Sequence, residues 1–181
     1  MKKKTILILL LTLLNFCSKK KMNYEVSETY KGLRSNAFSI TPEKINLPIN
    51  KQNSVYGVVM ETGYPDAVVS LISLADGTTS LYFSNGGGMI GIGEHEKPKA
   101  KSIFFTNEAN NYLPFTQQEK SNQFRLPEKN EVIFYFLTTN GIFSFADLEE
   151  NLGNEKSKLS NLFFIAHELI TEARLVSDKN N

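Results

Sequence analysis

The sequence predicts an α+β domain built on one antiparallel sheet of about five strands with covering helices. Three observations predict it. Two strand pairs are joined by short glycine turns at Asp76-Gly77 and Asn140-Gly141, and tight turns demand antiparallel neighbours. An apolar stripe at helical spacing closes the chain at Leu162, Ala166, Leu169, Ala173 and Val176. Between the two pairs lies a second helical stretch, so strands and helices occur in separate runs, the pattern of a layered α+β domain.

In chain order, residues 24–38 form a weak helix, with Tyr30, Leu33 and Ala37 at helical spacing and Gly32 opposing it. Thr41-Pro42-Glu43 is a short helix start with proline at its first position. A polar connection over 48–54 leads to a first strand, VYGVVME at 55–61. The turn cluster at 62–66 and a second strand, AVVSLISLA at 67–75, follow. Asp76-Gly77 then makes a two-residue type I′ turn into TTSLYFS at 78–84.

A glycine-rich stretch over 85–93 runs into Glu94-His95-Glu96-Lys97-Pro98. Pro98 opens a helix to about Leu113, with Ala100, Ile103, Phe104, Phe105, Ala109, Tyr112 and Leu113 as its buried side. A long polar connection, 114–131, reaches the second hairpin: VIFYFLTT at 132–139, a turn at Asn140-Gly141, and IFSFA at 142–146. A charged loop over 147–158 precedes the last helix, 159–176. The order is loosely similar to profilin-like and roadblock-like topologies, a likeness that carries little function by itself.

The N-terminus is a different kind of segment. Lys2, Lys3 and Lys4 precede an apolar run from Ile6 to Leu14, broken only by Thr12. That is the layout of a secretory signal peptide, and it is shorter than the roughly 20 apolar residues a bilayer-spanning helix needs. Ser18-Lys19-Lys20-Lys21 ends the run. The only cysteine, Cys17, stands at this boundary. Leu14-Asn15-Phe16-Cys17 resembles the lipobox of bacterial lipoproteins, with Phe16 where that family usually carries a small residue. The resemblance implies a diacylglyceryl thioether on Cys17 and cleavage before it. Residues 1–16 are then a signal peptide, 17–23 the lipidated cysteine and a polar tether, and 24–181 a single domain. The expected place is the cell envelope, on the extracytoplasmic side of a bacterial membrane. Two or more acyl chains suffice for such an anchor, at about 0.8 kcal/mol per buried methylene.

With its only cysteine at the lipidation position, the chain has no cysteine for a disulfide. The domain must hold by its core, and roughly 150 residues suffice for that. The chain carries 20 basic and 19 acidic residues for a net charge of +1, which becomes −2 without Lys2, Lys3 and Lys4 and −5 without Lys19, Lys20 and Lys21 as well. A mildly acidic domain lacks the basic footprint that nucleic acid requires. The expected partners are a membrane, through the anchor, and a protein.

The stretches Val55-Tyr56-Gly57-Val58-Val59-Met60, SLADGTTSLYFS at 73–84 and Gly86-Gly87-Gly88-Met89-Ile90-Gly91, closing on Gly93-Glu94-His95, resemble a family of uncharacterised bacterial proteins. The resemblance implies a compact domain and no particular activity.

Gly86, Gly88 and Gly91 spell G-x-G-x-x-G between a strand and a helix. Backbone N–H groups of such a loop could cradle an anion. The candidate ligand loop comprises Gly86, Gly87, Gly88, Gly91, Gly93, Glu94 and His95. Dinucleotide binding needs a parallel βαβ unit and an acidic residue about 20 positions on; here the preceding strands are hairpin-paired and the nearest candidate, Glu108, comes too early. The competing reading is geometric: Asn85-Gly86 turns a further hairpin, and residues 88–93 form a flat strand packed close under a helix.

His167 sits in Ala166-His167-Glu168-Leu169-Ile170-Thr171, where Thr171 stands in place of the second histidine of H-E-x-x-H. His95 and His167 could meet, with Glu94 or Glu168, around a metal. Ser84 could pair with His95 as a nucleophile, although no G-x-S-x-G elbow is present. Neither set is complete enough to name a catalytic residue, a metal ligand or a cofactor. The leading reading is a non-catalytic, membrane-anchored binding or interaction module. The alternative is a small enzyme or small-molecule binder using the glycine loop with His95.

Overall fold

A computed structural model describes residues 24–45 and 54–179. The expected signal peptide, Cys17 and the expected tether therefore lie outside the described residues. Among the described residues no helix is long and apolar enough to cross a membrane.

The domain is α+β, with one open antiparallel sheet ordered β4-β3-β2-β1-β6-β7-β5. Its long strands are β1 (Val55–Gly63), β2 (Val68–Leu74), β3 (Thr79–Phe83), β6 (Glu131–Thr138) and β7 (Gly141–Leu148). The count of about five must be corrected to seven. The additional strands, β4 (Gly88–Met89) and β5 (Gln117–Gln118), are two-residue edge pieces too short for any periodicity to betray. The helices are α1 (Glu28–Phe38), α2 (Glu96–Ala109), α3 (Glu149–Gly153) and α4 (Ser160–Lys179). The short α3 falls inside the stretch expected to be a charged loop.

Helices cover both faces of the sheet. Strand side chains alternate between faces, and β1 is buried along nearly its whole length, as a central strand covered on both sides must be. Val58 and Met60 of β1, with Val132, Phe134 and Phe136 of β6, face the side packed by Phe105, Leu162, Ala166 and Leu169 of α2 and α4. Val59, Ile72, Ile133, Tyr135 and Leu137 face the side where Ala37 and Phe38 of α1 pack.

Both hairpin turns differ from the type I′ expectation. That turn needs positive φ at both central residues, but only the glycines have it, Gly77 at 91° and Gly141 at 113°. At the first, Leu74 N–H donates to Thr78 O and Gly77 N–H to Leu74 O, both at 2.9 Å, so the loop spans three residues. At the second, Thr138 pairs with Gly141, which moves the turn to Thr139-Asn140. Aspartate and asparagine keep ordinary φ, and the glycine alone absorbs the left-handed step.

The buried face of α2 also differs. The sequence assigned Ala100, Ile103 and Phe104 to it; the buried residues are Pro98, Ser102, Phe105, Thr106 and Ala109, and Phe104 is 48% exposed. The reason is a buried polar seam. Ser73 Oγ of β2 lies 2.6 Å from Ser102 Oγ and 3.0 Å from Thr106 Oγ1. Hydroxyls that satisfy one another can replace apolar contacts in a core, and apolar counting alone rotates the helix away from them.

A second polar group ties the opposite face. Glu61 is fully buried on β1. Arg34 of α1 grips it bidentately, Nε to Oε1 at 2.7 Å and Nη2 to Oε2 at 2.8 Å. Tyr30 OH donates to the same carboxylate at 3.3 Å, and Ser70 Oγ donates to it at 2.9 Å. Two further guanidinium protons reach the long connection before β6: Nη1 donates to Phe124 O at 3.1 Å and Nη2 to Arg125 O at 3.0 Å. Phe124 stacks on Phe38 at 4.3 Å between centroids. Helix, strand and connection thus converge on one ion pair.

Removing one partner of such a pair leaves an uncompensated buried charge, a cost of about 3–5 kcal/mol. Arg34→Ala should therefore lower the unfolding free energy by about that amount in urea titrations. An unchanged midpoint and slope would show that the pair does not hold the fold. Gly77→Val and Gly141→Val should each cost about 1–2 kcal/mol or more, because a β-branched residue resists positive φ. Unaltered melting of both variants would contradict the assigned turns.

Candidate functional site

Glycine placement decides what the loop at 85–93 can do. Its first part is a hairpin, as the geometric reading expected: Phe83 N–H donates to Gly87 O and Gly86 N–H to Phe83 O, both at 2.9 Å. Asn85 Oδ1 accepts the Gly87 N–H at 3.0 Å. Gly86 and Gly91 have φ of 97° and 77°, a region that side chains resist. A Cβ on Gly88 would stand 2.5 Å from Leu81 O, and one on Gly93 would stand 2.1 Å from Gly77 O. Those glycines allow close approach to the protein's own backbone. Of the five, only Gly87 has ordinary φ and no backbone within contact. The flat strand expected over 88–93 is shorter, because pairing with β3 stops at Met89 and a 3-10 turn takes Ile92–Glu94.

The loop nonetheless borders two concavities. The outer one is an open groove of about 290 Å³, lined by Gly88 to Ile92, His95, Ala173, Val176 and Ser177. His95 and Glu94 are exposed, and His95 occupies the N-cap position of α2 without a side-chain capping bond. The inner one is a smaller, more enclosed cavity of about 130 Å³ between the sheet and α4. Met60, Val69, Leu71, Leu81, Phe83, Met89 and Ile170 give it apolar walls, and Thr62, Tyr64, His167 and Arg174 supply its polar groups. Met89 belongs to both linings and divides them.

The expected histidine groupings are not assembled. His95 lines the outer groove and His167 the inner cavity. Glu168 forms an ion pair with Lys101 of α2. Among the described residues no three of His, Cys, Asp and Glu cluster in a way that could hold a metal. Ser84 is buried, and its Oγ accepts the Val68 N–H at 2.9 Å. That bond secures the β2–β3 pairing, which corrects the idea of a Ser84–His95 nucleophile. Thr171, in the position of the missing second histidine, donates to His167 O at 2.8 Å.

His167 itself is the polar group that the sequence undervalued. Its Nε2 is buried and has no hydrogen-bond partner. Phe163 packs edge-on against the ring, 4.3 Å between centroids. Burial first, and the nearby Arg174 second, hold its pKa below the ordinary histidine value, so the imidazole is neutral at neutral pH. At the same rim, burial and then Glu149 push the Tyr64 phenol up, while Arg174 opposes them. One signal was available: His167 falls one residue after Ala166 of the buried stripe and two turns before Arg174.

Searches of family models, curated proteins and solved structures found no match to this chain.

If the glycines serve the protein's own packing, Gly88→Ala and Gly93→Ala should each destabilise the domain by about 1–3 kcal/mol, the usual cost of forcing atoms into filled space. His95→Ala should stay within about 0.5 kcal/mol of the parent, as for other exposed sites. Urea unfolding of the three variants checks both expectations, and a neutral Gly93→Ala would argue against the packing role.

Proposed function

We propose that this protein is a lipid-anchored, non-catalytic binding module, displayed from a bacterial membrane by a thioether lipid on Cys17. The observation that carries the non-catalytic half of this reading is where the polar side chains go. Ser84 secures a strand pair, Ser73, Ser102 and Thr106 satisfy one another, and Glu61 is held by Arg34, Tyr30 and Ser70. Those hydroxyls and the Glu61 carboxylate are committed to the fold.

The anchored half rests on the sequence. Lys2 to Lys4, the short apolar run and the single cysteine at its end have the layout of a lipoprotein leader. The domain from Tyr24 onward would then stand at the extracytoplasmic surface of the membrane, bound to a protein or a small ligand. The likeness of element order to profilin-like and roadblock-like modules, and of residues 55–95 to uncharacterised bacterial proteins, fits a compact binding domain and supplies no reaction. The second reading, a ligand held by the glycine loop with His95, draws support only from the outer groove, since Gly88 and Gly93 face the protein's own backbone.

Metabolic labelling with palmitate tests the anchor directly. The parent chain should take up label and shift to a processed form, and Cys17→Ala should do neither. Equal labelling of both chains would overturn the lipoprotein reading.

A further inference from the structure

The cavity between the sheet and α4 has the composition of a small-ligand site. Such sites are mostly apolar and carry a few convergent polar groups. Here Leu71, Leu81, Phe83 and Met89 give the apolar wall, and His167 and Arg174 stand together on α4. Three observations point beyond a packing defect. His167 Nε2 is buried without a partner, a state that is uncommon and unfavourable in folded proteins. Arg174 is exposed and, among the described residues, has no ion-pair partner. Finally, the cavity measures about 130 Å³, near the roughly 150 Å³ of a dry cavity that takes up benzene.

We propose that this cavity binds a small monocarboxylate with an apolar body, of the size of benzoate or hexanoate. The apolar body would lie against Leu71, Leu81, Phe83 and Met89. One carboxylate oxygen would accept a hydrogen bond from His167 Nε2, in the neutral tautomer that carries its proton there. The guanidinium of Arg174 would pair with the carboxylate from the rim. One planar cation and one N–H match the two oxygens of a carboxylate. Met89, which separates the cavity from the outer groove, is flexible and unbranched, a side chain suited to move aside for entry. This inference deepens the binding-module reading and is independent of the lipid anchor.

Met60 and Met89 both line the cavity, and their methyl groups provide the readout. The full chain, labelled with ¹³C-methyl methionine, would be titrated with sodium benzoate and with sodium hexanoate. Both methyl resonances should shift and saturate. Arg174→Gln should weaken benzoate by about tenfold, the loss expected for one charge-assisted contact. It should leave benzyl alcohol, which has the same ring and no charge, unchanged. His167→Phe, which fills the same space without Nε2, should abolish the response to both carboxylates. No methyl shift up to about 10 mM carboxylate, a range reaching beyond millimolar affinity, would overturn the proposal. So would equal binding of benzoate and benzyl alcohol that ignores Arg174→Gln, since that describes an apolar void alone. Because Arg174 is exposed, its variant stays informative even if His167→Phe fails to fold. Failure here leaves the anchor standing, and an unlabelled Cys17 leaves this site standing.

Discussion

The fold depends on one ion pair. Arg34 of α1 meets Glu61 of β1 inside the protein, with the carboxylate fully buried. Two charges cannot leave water unless their geometry is good and their remaining valences are filled. Here they are: Tyr30 and Ser70 complete the carboxylate, and two carbonyls of the long connection complete the guanidinium. The arrangement therefore fixes more than a helix. It positions α1 on one face of the sheet and draws the 119–130 connection across that helix. The backbone O of Arg125 also accepts from Tyr135 OH, at 2.7 Å, on β6.

The opposite face is held by a different device. There α2 and α4 share an apolar core with β1, β2 and β6, and a hydroxyl seam from Ser73 to Ser102 and Thr106 sets the rotation of α2. The two faces divide the labour of the domain. On the side of α1, polar groups are consumed in pairs. On the side of α4, His167 lines a cavity and its buried Nε2 has no partner. Among the described residues Thr139 Oγ1 shares that unpartnered state with His167 Nε2, and of the two only His167 lines the cavity.

The glycine loop shows how a motif can mislead. G-x-G-x-x-G cradles phosphates when it joins a parallel strand to a helix. In this chain it joins an antiparallel hairpin to a 3-10 turn, and the spacing serves other needs. Gly86 and Gly91 turn the chain through positive φ, and Gly88 and Gly93 let two backbones approach. The same loop still bears on binding, because Met89 is the partition between the outer groove and the inner cavity.

Local patterns in the sequence determined the fold class, the five long strands and the closing helix. Alternation at β3, the glycine turns and the stripe on α4 are short-range signals that neighbours along the chain complete. Charge, apolar length and the cysteine position of the N-terminus are also written in order, and the lipid anchor they suggest stands as a proposal. Tertiary structure decided the rest. The edge strands β4 and β5 are too short to carry a period, and the turn types depended on which single residue took positive φ. Glu61 offered a clue, a charge within an otherwise apolar strand, but its partner lies 27 positions away. The seam on α2 and the isolation of His167 Nε2 were invisible for the same physical reason. Whether a buried polar group is satisfied depends on atoms brought beside it from distant parts of the chain, and only the folded arrangement specifies them.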